Sequence, residues 1–185
     1  MLYLIIGDYM TKLTIIGQCI GFIGLFFSLC SFTQNKKEKY AKYAVISAFI
    51  NAIHYLLLGA YSGVFTKTVA SIREMIVYEK AKKKNKLNNF WFYLIISVYI
   101  ISLFVLYDGN IINLFPIIAA IIYFAVEWSG NTTSIKIVAL ISFIMWLVYN
   151  MIVFSIPGII HNIITITTLI IVLIKNKNSK KSRKK

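Results

Sequence analysis

The segment Tyr43–Tyr78, YAVISAFINAIHYLLLGAYSGVFTKTVASIREMIVY, consists of two apolar runs separated by the five-residue break Gly59–Gly63. Polar or aromatic residues are set into both runs: Asn51, His54 and Tyr55 in the first, and Lys67, Ser71, Arg73 and Glu74 in the second. When the sequence is shifted by 94 residues, the hydropathy, the break and several polar positions recur without a gap, and Tyr55 aligns with Tyr149. This recurrence predicts an internal duplication.

Composition assigns the chain to the integral membrane proteins. Of its 185 residues, 59% are hydrophobic and 15% are aromatic, and the mean hydropathy is +0.76. A soluble core does not accommodate so many apolar side chains. The net charge of +14 would suit a nucleic-acid partner in a soluble chain, but here the lysines cluster between apolar runs, where they set membrane orientation. We therefore expect the lipid bilayer as a partner and no nucleic acid, while a homo-oligomer is left open.

Seven apolar runs of 16 to 21 residues are bounded by charged or turn residues. Their lengths are close to the ~20 residues that a helix needs to cross a hydrocarbon layer ~30 Å thick. The runs are Leu13–Phe32, Tyr43–Ala60, Gly63–Tyr78, Phe90–Tyr107, Ile111–Val126, Ile135–Ser155 and Ile159–Ile174. They predict seven membrane-spanning helices, of which the third is the most polar.

The distribution of basic residues predicts the orientation of these spans. Seventeen Lys and Arg residues fall on one side and Lys12 alone on the other. The positive-inside rule therefore predicts an N-terminus outside and a C-terminus in the cytoplasm. The first residues contain neither a basic leader nor a small-residue cleavage site, so we expect no removed signal peptide.

The odd number of spans determines how the two repeats are related. If helices one to three are repeated as five to seven, the fourth helix returns the chain to its starting side, and both repeats have the same orientation. The predicted fold is a single all-α membrane domain, 1–185, with a 3-1-3 arrangement. It contains a first three-helix repeat (13–78), a linker helix (90–107), a second three-helix repeat (111–174) and a basic cytoplasmic tail (175–185).

Three fragments carry a resemblance to known proteins: Ser31-Phe32-Thr33-Gln34-Asn35-Lys36, His54-Tyr55-Leu56-Leu57-Leu58-Gly59-Ala60 and Ile72-Arg73. They resemble the bacterial inner-membrane protein family YgjV, which implies the bacterial inner membrane as the location. More distantly, the 3-1-3 layout is similar to SWEET sugar carriers, PQ-loop proteins and Pnu vitamin transporters. The SWEET-type resemblance implies a solute-binding asparagine on the seventh helix, where Asn162 fits, and Thr68 at the matching position of the third helix.

Polar residues form a stripe on the third predicted span. Lys67, Ser71, Glu74 and Tyr78 recur at helical spacing, and at a shift of 94 the last span carries His161, Thr165 and Thr168 on the same face. Lipid-facing positions disfavour such groups, because each unpaired one costs ~1–3 kcal/mol in hydrocarbon. The stripes predict either a polar cavity between the two helices or a hydrogen-bonded packing interface.

Several single residues have two interpretations. Lys67 is close enough to the membrane edge to extend its ammonium there, or it binds an anion. His54, on one face with Ser47 and Asn51, is either a hydrogen-bonded core residue or a functional one. Arg73 is expected either to reach the cytoplasmic headgroups or to pair with Glu79 or Glu127. The candidate solute-binding residues are Asn51, His54, Lys67, Ser71, Glu74, Tyr149, His161, Asn162 and Thr165.

These patterns favour a carrier or facilitator that moves a small polar or anionic metabolite by alternating access between the two repeats, with or without proton coupling. The alternative is a membrane scaffold or receptor with a solidly packed interior. An intramembrane enzyme is disfavoured, because no nucleophile and base set and no metal-ligand cluster stands out. We therefore expect no catalytic residues, no metal site and no cofactor.

Overall fold

A computed structural model describes residues 12–33, 37–82, 88–129 and 132–182, and these segments are helical. The helices are α1 (Lys12–Phe32), α2 (Lys37–Leu57), α3 (Tyr61–Lys82), α4 (Phe90–Val105), a 3₁₀ helix (Ile111–Leu114), α5 (Phe115–Ser129), α6 (Thr132–Ile152) and α7 (Ile156–Ser182). The all-α prediction is confirmed for this part of the chain. The predicted external N-terminal segment before Lys12, the loop lysines at 36, 83, 84 and 86, and the end of the basic tail lie outside the described residues.

The helix bounds differ from the apolar runs at the turns. The predicted break Gly59–Gly63 is shorter in the structure, because α2 ends at Leu57 and α3 already begins at Tyr61. Likewise α7 begins at Ile156, so Pro157 is a helical residue and not part of the turn. Proline is tolerated in the first turn of a helix, where its missing N–H has no intrahelical acceptor. Hydropathy indicates where lipid contact begins, whereas backbone hydrogen bonds decide where a helix ends.

The turns after α2 and α6 have the same backbone conformation. Gly59 has a φ of +70° and Phe154 a φ of +53°. In each turn the next residue donates its N–H five positions back: Ala60 to the carbonyl oxygen of Tyr55, and Ser155 to that of Asn150, both at 2.9 Å. This is the hydrogen bond of a Schellman helix end, which requires a left-handed residue.

The helices pack in two groups of three. Helix α2 contacts both α1 and α3, and α6 contacts both α5 and α7. The groups meet through contacts of α1 with α7 and of α3 with α5, while α4 contacts α3 and α5. Buried apolar residues on α3, α4 and α5 form one core cluster, centred on Val69, Ile95, Tyr99, Ile117 and Phe124. This cluster attaches α4 to the outside of the bundle.

The outer surface of the bundle is apolar. Large hydrophobic side chains such as Phe26, Phe104 and Ile171 are more than half exposed, as expected where lipid replaces water. Four segments are long and apolar enough to cross a membrane: Lys12–Ser31, Ile111–Trp128, Ser134–Ile152 and Ile156–Ile174. Lys42–Leu57 and Phe90–Val105 are shorter apolar helices, and α3, with its charged residues, is less apolar than these segments.

Candidate functional site

A polar cavity of about 310 Å³ lies between the two groups of helices. Its walls come from α1, α2, α3, α5, α6 and α7, and no residue of α4 contributes to them. Serine, threonine, asparagine, histidine and charged side chains line it together with tyrosine, tryptophan and several alanines. The volume is at the lower end of the ~300–1,000 Å³ typical of small-molecule sites.

Equivalent contacts in the two groups recur 95 residues apart, not 94. The hydroxyl of Ser47 donates to the carbonyl oxygen of Gly24 at 2.9 Å, and that of Ser142 donates to the carbonyl oxygen of Ala119 at 3.1 Å. The left-handed residues Gly59 and Phe154 have the same spacing. The shift of 94 inferred from hydropathy is therefore wrong by one residue, which corresponds to a rotation of ~100° on a helix.

The cavity lining follows this corrected spacing. Eleven pairs of lining residues are related by 95 positions, whereas a spacing of 94 relates only three. The eleven pairs are residues 25/120, 28/123, 44/139, 47/142, 48/143, 51/146, 55/150, 66/161, 67/162, 70/165 and 74/169. Lys67 is consequently the counterpart of Asn162. The prediction that Thr68 is the counterpart of Asn162 is wrong. Thr68 is exposed and donates to the carbonyl oxygen of Val64 at 2.9 Å.

Lys67 is placed over an aromatic ring of the opposite group. Its Nζ lies 4.3 Å from the centroid of the Trp146 ring, and no carboxylate of the described residues lies within 4.0 Å of it. A cation–π contact contributes ~0.5–2 kcal/mol, whereas removing an ammonium from water costs several kcal/mol. The charge of Lys67 is therefore only partly compensated inside the protein.

Five other predicted binding residues also line the cavity: Asn51, Glu74, His161, Asn162 and Thr165. The side chain of Asn162 is 2% exposed, and its Nδ2 has no hydrogen-bond partner among the described residues. His161 Nε2 is hydrogen-bonded to Ser28 Oγ at 2.9 Å, and Thr165 donates to the carbonyl oxygen of His161. Asn51 Nδ2 donates to the carbonyl oxygen of Ser47 at 2.9 Å.

One end of the cavity contains a charged cluster. Arg73 is 7% exposed and forms an ion pair with Glu74, and its Nε lies 3.8 Å from Glu127 Oε2 on α5. The expected proximity to Glu127 is thus observed, whereas no ion pair joins Arg73 to Glu79 within the described residues. Both Arg73 and Glu74 line the cavity, although adjacent helical residues point ~100° apart. Their long side chains bend toward each other.

Three predicted binding residues, His54, Ser71 and Tyr149, lie outside the lining of this cavity. His54 is fully buried, and its Nδ1 donates to the carbonyl oxygen of Gly17 at 2.7 Å. Its Nε2 is 2.7 Å from Ser155 Oγ, so both ring nitrogens have partners. Ser71 donates to the carbonyl oxygen of Thr68 at 2.7 Å.

A hydrogen-bonded layer lies between the central cavity and a second cavity of about 720 Å³. On the central side, Tyr55 Oη donates to Asn150 Oδ1 at 2.7 Å. On the other side, Tyr149 Oη accepts from Ser62 Oγ at 3.0 Å and from the backbone N–H of Gly63 at 3.1 Å. Each of these bonds joins one helix group to the other.

Sequence reasoning missed several residues of the site. Trp146, Ser28, Thr66 and Asn150 line the cavity but are not among the candidate binding residues named from the sequence. The spacing of 95 would have indicated them, because it aligns identical residues at Ala44/Ala139, Ser47/Ser142 and Gly63/Gly158. In the described part of the chain, no three His, Cys, Asp or Glu side chains are grouped closely enough to hold a metal ion.

Comparison with known proteins assigns the family. Residues 15–180 match the family model Imp-YgjV, described as a bacterial inner membrane protein. The chain belongs to the Imp-YgjV family. Membership agrees with the apolar outer surface and the membrane-length helices, and it confirms the resemblance seen in the sequence. No curated protein and no solved structure gave a significant match.

Proposed function

We propose that this inner membrane protein is a carrier that moves a small polar or anionic solute through the central cavity. In this proposal α1–α3 and α5–α7 are two repeats joined by the linker helix α4, as in SWEET-type carriers. The observation that supports it most strongly is the set of eleven lining pairs spaced by 95 residues. A solute site shared by two equivalent halves is the arrangement that alternating access requires.

The hydrogen-bonded layer supports a parallel orientation of the repeats. The end of α2 and the end of α6 are equivalent in the repeat, and they lie side by side because Tyr55 bonds to Asn150 and His54 to Ser155. Equivalent ends at the same end of the bundle mean that both repeats run in the same direction. The linker α4 then crosses the membrane once more, which is necessary if the second repeat is to have the same orientation as the first.

The same layer provides a closure on one side of the cavity. The side-chain bonds to Asn150 and Tyr149 join residues of different repeats, so a rocking motion of one repeat against the other would break them. With the C-terminus in the cytoplasm, as the basic residues indicate, the layer closes the cavity from outside. A scaffold or receptor would instead be expected to have a solidly packed interior.

Transport can be tested while the solute is still unidentified. Purified protein is reconstituted in liposomes, the liposomes are incubated with a bacterial metabolite extract, and their contents are analysed by mass spectrometry. We expect one or a few metabolites to be enriched relative to protein-free liposomes. Lys67→Ala and Asn162→Ala should reduce this enrichment while the amount of folded protein remains the same.

A matched control is Thr68→Ala, which changes a neighbouring exposed residue of α3 that does not line the cavity. Uptake by this variant should equal that of the original protein. Equal uptake by the Lys67→Ala and Asn162→Ala variants would remove these residues from the mechanism. Absence of enrichment for every metabolite, in protein shown to be folded, would contradict the carrier proposal.

A further inference from the structure

We propose that the solute of the central cavity is a small organic anion, whose carboxylate or phosphate oxygens bind the ammonium of Lys67 and the amide of Asn162. This inference rests on the proposed carrier function and specifies its substrate class. It is based on the charges of the lining, on the donors that lack acceptors, and on the shape of the walls.

The charges that line the cavity leave Lys67 only partly compensated. The lining contains two further cations, Lys136 and Arg73, and Arg73 is bonded to Glu74 and has Glu127 close by. Glu74, a lining carboxylate, is therefore already engaged. A cationic solute would be repelled by Lys67, and a neutral solute would leave its charge as it is. Of the three kinds of solute, only an anion compensates the charge of Lys67.

The hydrogen-bonding groups lead to the same ligand class. Lys67 and Asn162 are equivalent residues of the two groups, and both line the cavity. Asn162 Nδ2 is a donor that is buried without an acceptor among the described residues, and Lys67 Nζ contacts the face of Trp146 in place of an oxygen. A ligand that supplies acceptor oxygens would satisfy both donors, and charged oxygens form the stronger hydrogen bonds.

The walls limit the size and shape of the solute. A volume of about 310 Å³ accommodates a small metabolite. Tyr55, Tyr123, Phe143 and Trp146 contribute aromatic surface to the walls, which suits a planar or apolar body beside the anionic group. Benzoate and phenyl phosphate have these features, and benzamide is the uncharged counterpart of benzoate.

Trp146 serves as an internal reporter of binding. The chain contains three tryptophans, and Trp91→Phe with Trp128→Phe leaves Trp146 alone. An anion that binds Lys67 draws the ammonium away from the indole and changes the fluorescence of Trp146. In detergent-solubilised protein, benzoate or phenyl phosphate should bind at least tenfold more tightly than benzamide, as measured by this fluorescence and by thermal stabilisation. The preferred probe distinguishes a carboxylate solute from a phosphate solute.

Substitutions test the role of Lys67 directly. Lys67→Met should abolish the preference for the anion, Lys67→Arg should retain it, and Lys82→Met, at the exposed end of the same helix, should leave it unchanged. If Lys67→Met does not fold, the comparison of benzoate with benzamide in the unsubstituted protein still decides. Equal affinity for the two, no binding of either anion by both readouts, or an unchanged preference in Lys67→Met would overturn the inference.

The outcomes separate this inference from the carrier proposal. Anion binding that depends on Lys67, without uptake of any anion into liposomes, would support the site and contradict the carrier. Uptake of a neutral solute that is independent of Lys67 would support the carrier and overturn the anion site.

Discussion

Tyr55 and Asn150 are 95 residues apart in the chain and are joined by a hydrogen bond of 2.7 Å from the phenol to the amide oxygen. They are also equivalent residues of the two helix groups. Two equivalent residues can touch only where they lie close to the axis that relates the groups. If the two groups are the repeats of the carrier proposal, the Tyr55–Asn150 contact marks this axis, at the point where the central cavity ends.

In the carrier proposal, we expect the closure of the cavity to depend on the hydroxyl of Tyr149. Tyr149→Phe leaves the donors of Ser62 and Gly63 without their acceptor. A buried unpaired donor costs ~1–3 kcal/mol, so we expect about a tenfold increase in the population of the open state. The measurement is the labelling rate of an Ala70→Cys reporter on the cavity wall by an impermeant maleimide, in intact cells and with Cys19 and Cys30 replaced by Ser.

Tyr107→Phe is the matched control for this experiment. Tyr107 lines the second cavity and is exposed, and removal of its hydroxyl should leave the labelling rate unchanged. An unchanged rate in Tyr149→Phe as well would show that this layer does not control access from outside.

The equivalent turns at Gly59 and Phe154 predict opposite effects of substitution. Both residues have a left-handed backbone conformation, which costs ~1–2 kcal/mol for a residue with a Cβ. Gly59→Ala should therefore lower the free energy of unfolding by about 1 kcal/mol, since a Cβ there meets no atom within 4 Å and strain is the main effect. Phe154→Gly should be neutral or stabilising by up to about 1 kcal/mol, because the exposed Phe154 ring contributes little packing. The melting temperatures of both variants in detergent check this pair, and a fall in both would contradict it.

Hydropathy alone predicted the seven α-helices of the described residues, but not the spacing at which similar contacts recur in the two helix groups. Most positions on these helices are apolar, so a slip of one residue hardly changes the agreement of hydropathy. It does change which side chains face the cavity, since each residue turns the helix by ~100°. All of these candidates were paired at the wrong spacing; Lys67, Asn162 and Thr165 nevertheless line the cavity, whereas Ser71 and Tyr149 lie outside its lining.

The hydrogen-bond partners of the buried polar groups could not be predicted from the sequence. The ring nitrogens of His54 form hydrogen bonds with the carbonyl oxygen of Gly17 and with Ser155, which are 37 and 101 residues away in the sequence. Such partners depend on how the helices are rotated, and no local pattern encodes this. Gly17, Gly21 and Gly24 recur at helical spacing on α1, a pattern that does predict a contact with another helix. A Cβ on Gly24 would lie 2.8 Å from the amide of Asn51, as expected of a close-packing face.

The charged cluster at the end of the cavity is expected to stabilise the fold as a unit. Arg73→Gln leaves the partly buried carboxylates of Glu74 and Glu127 facing each other without a cation, and removal of one partner of a buried ion pair costs ~3–5 kcal/mol. The triple variant Arg73→Gln, Glu74→Gln, Glu127→Gln should recover most of this loss. The yield of monodisperse protein and its melting temperature measure both effects.

Glu79→Gln, on the same helix, is the control for this cluster, because no ion pair of Glu79 is found in the described part of the chain. Its stability should be unaffected. A triple variant that is no more stable than Arg73→Gln alone would show that unpaired carboxylates are not the cause of the destabilisation.

His54 is expected to stabilise the protein without contacting the solute. Its two ring nitrogens bond to the carbonyl oxygen of Gly17 and to Ser155, and it lies outside the lining of the central cavity. His54→Phe retains a ring of similar size but removes both hydrogen bonds, each worth ~0.5–1.5 kcal/mol, although Ser155 Oγ still accepts from the N–H of Gly158. We therefore expect a lower melting temperature and a benzoate affinity within about twofold of the original. His161→Phe, which alters the cavity wall, should change the affinity instead. If His54→Phe weakens benzoate binding tenfold while the melting temperature stays constant, His54 belongs to the solute site.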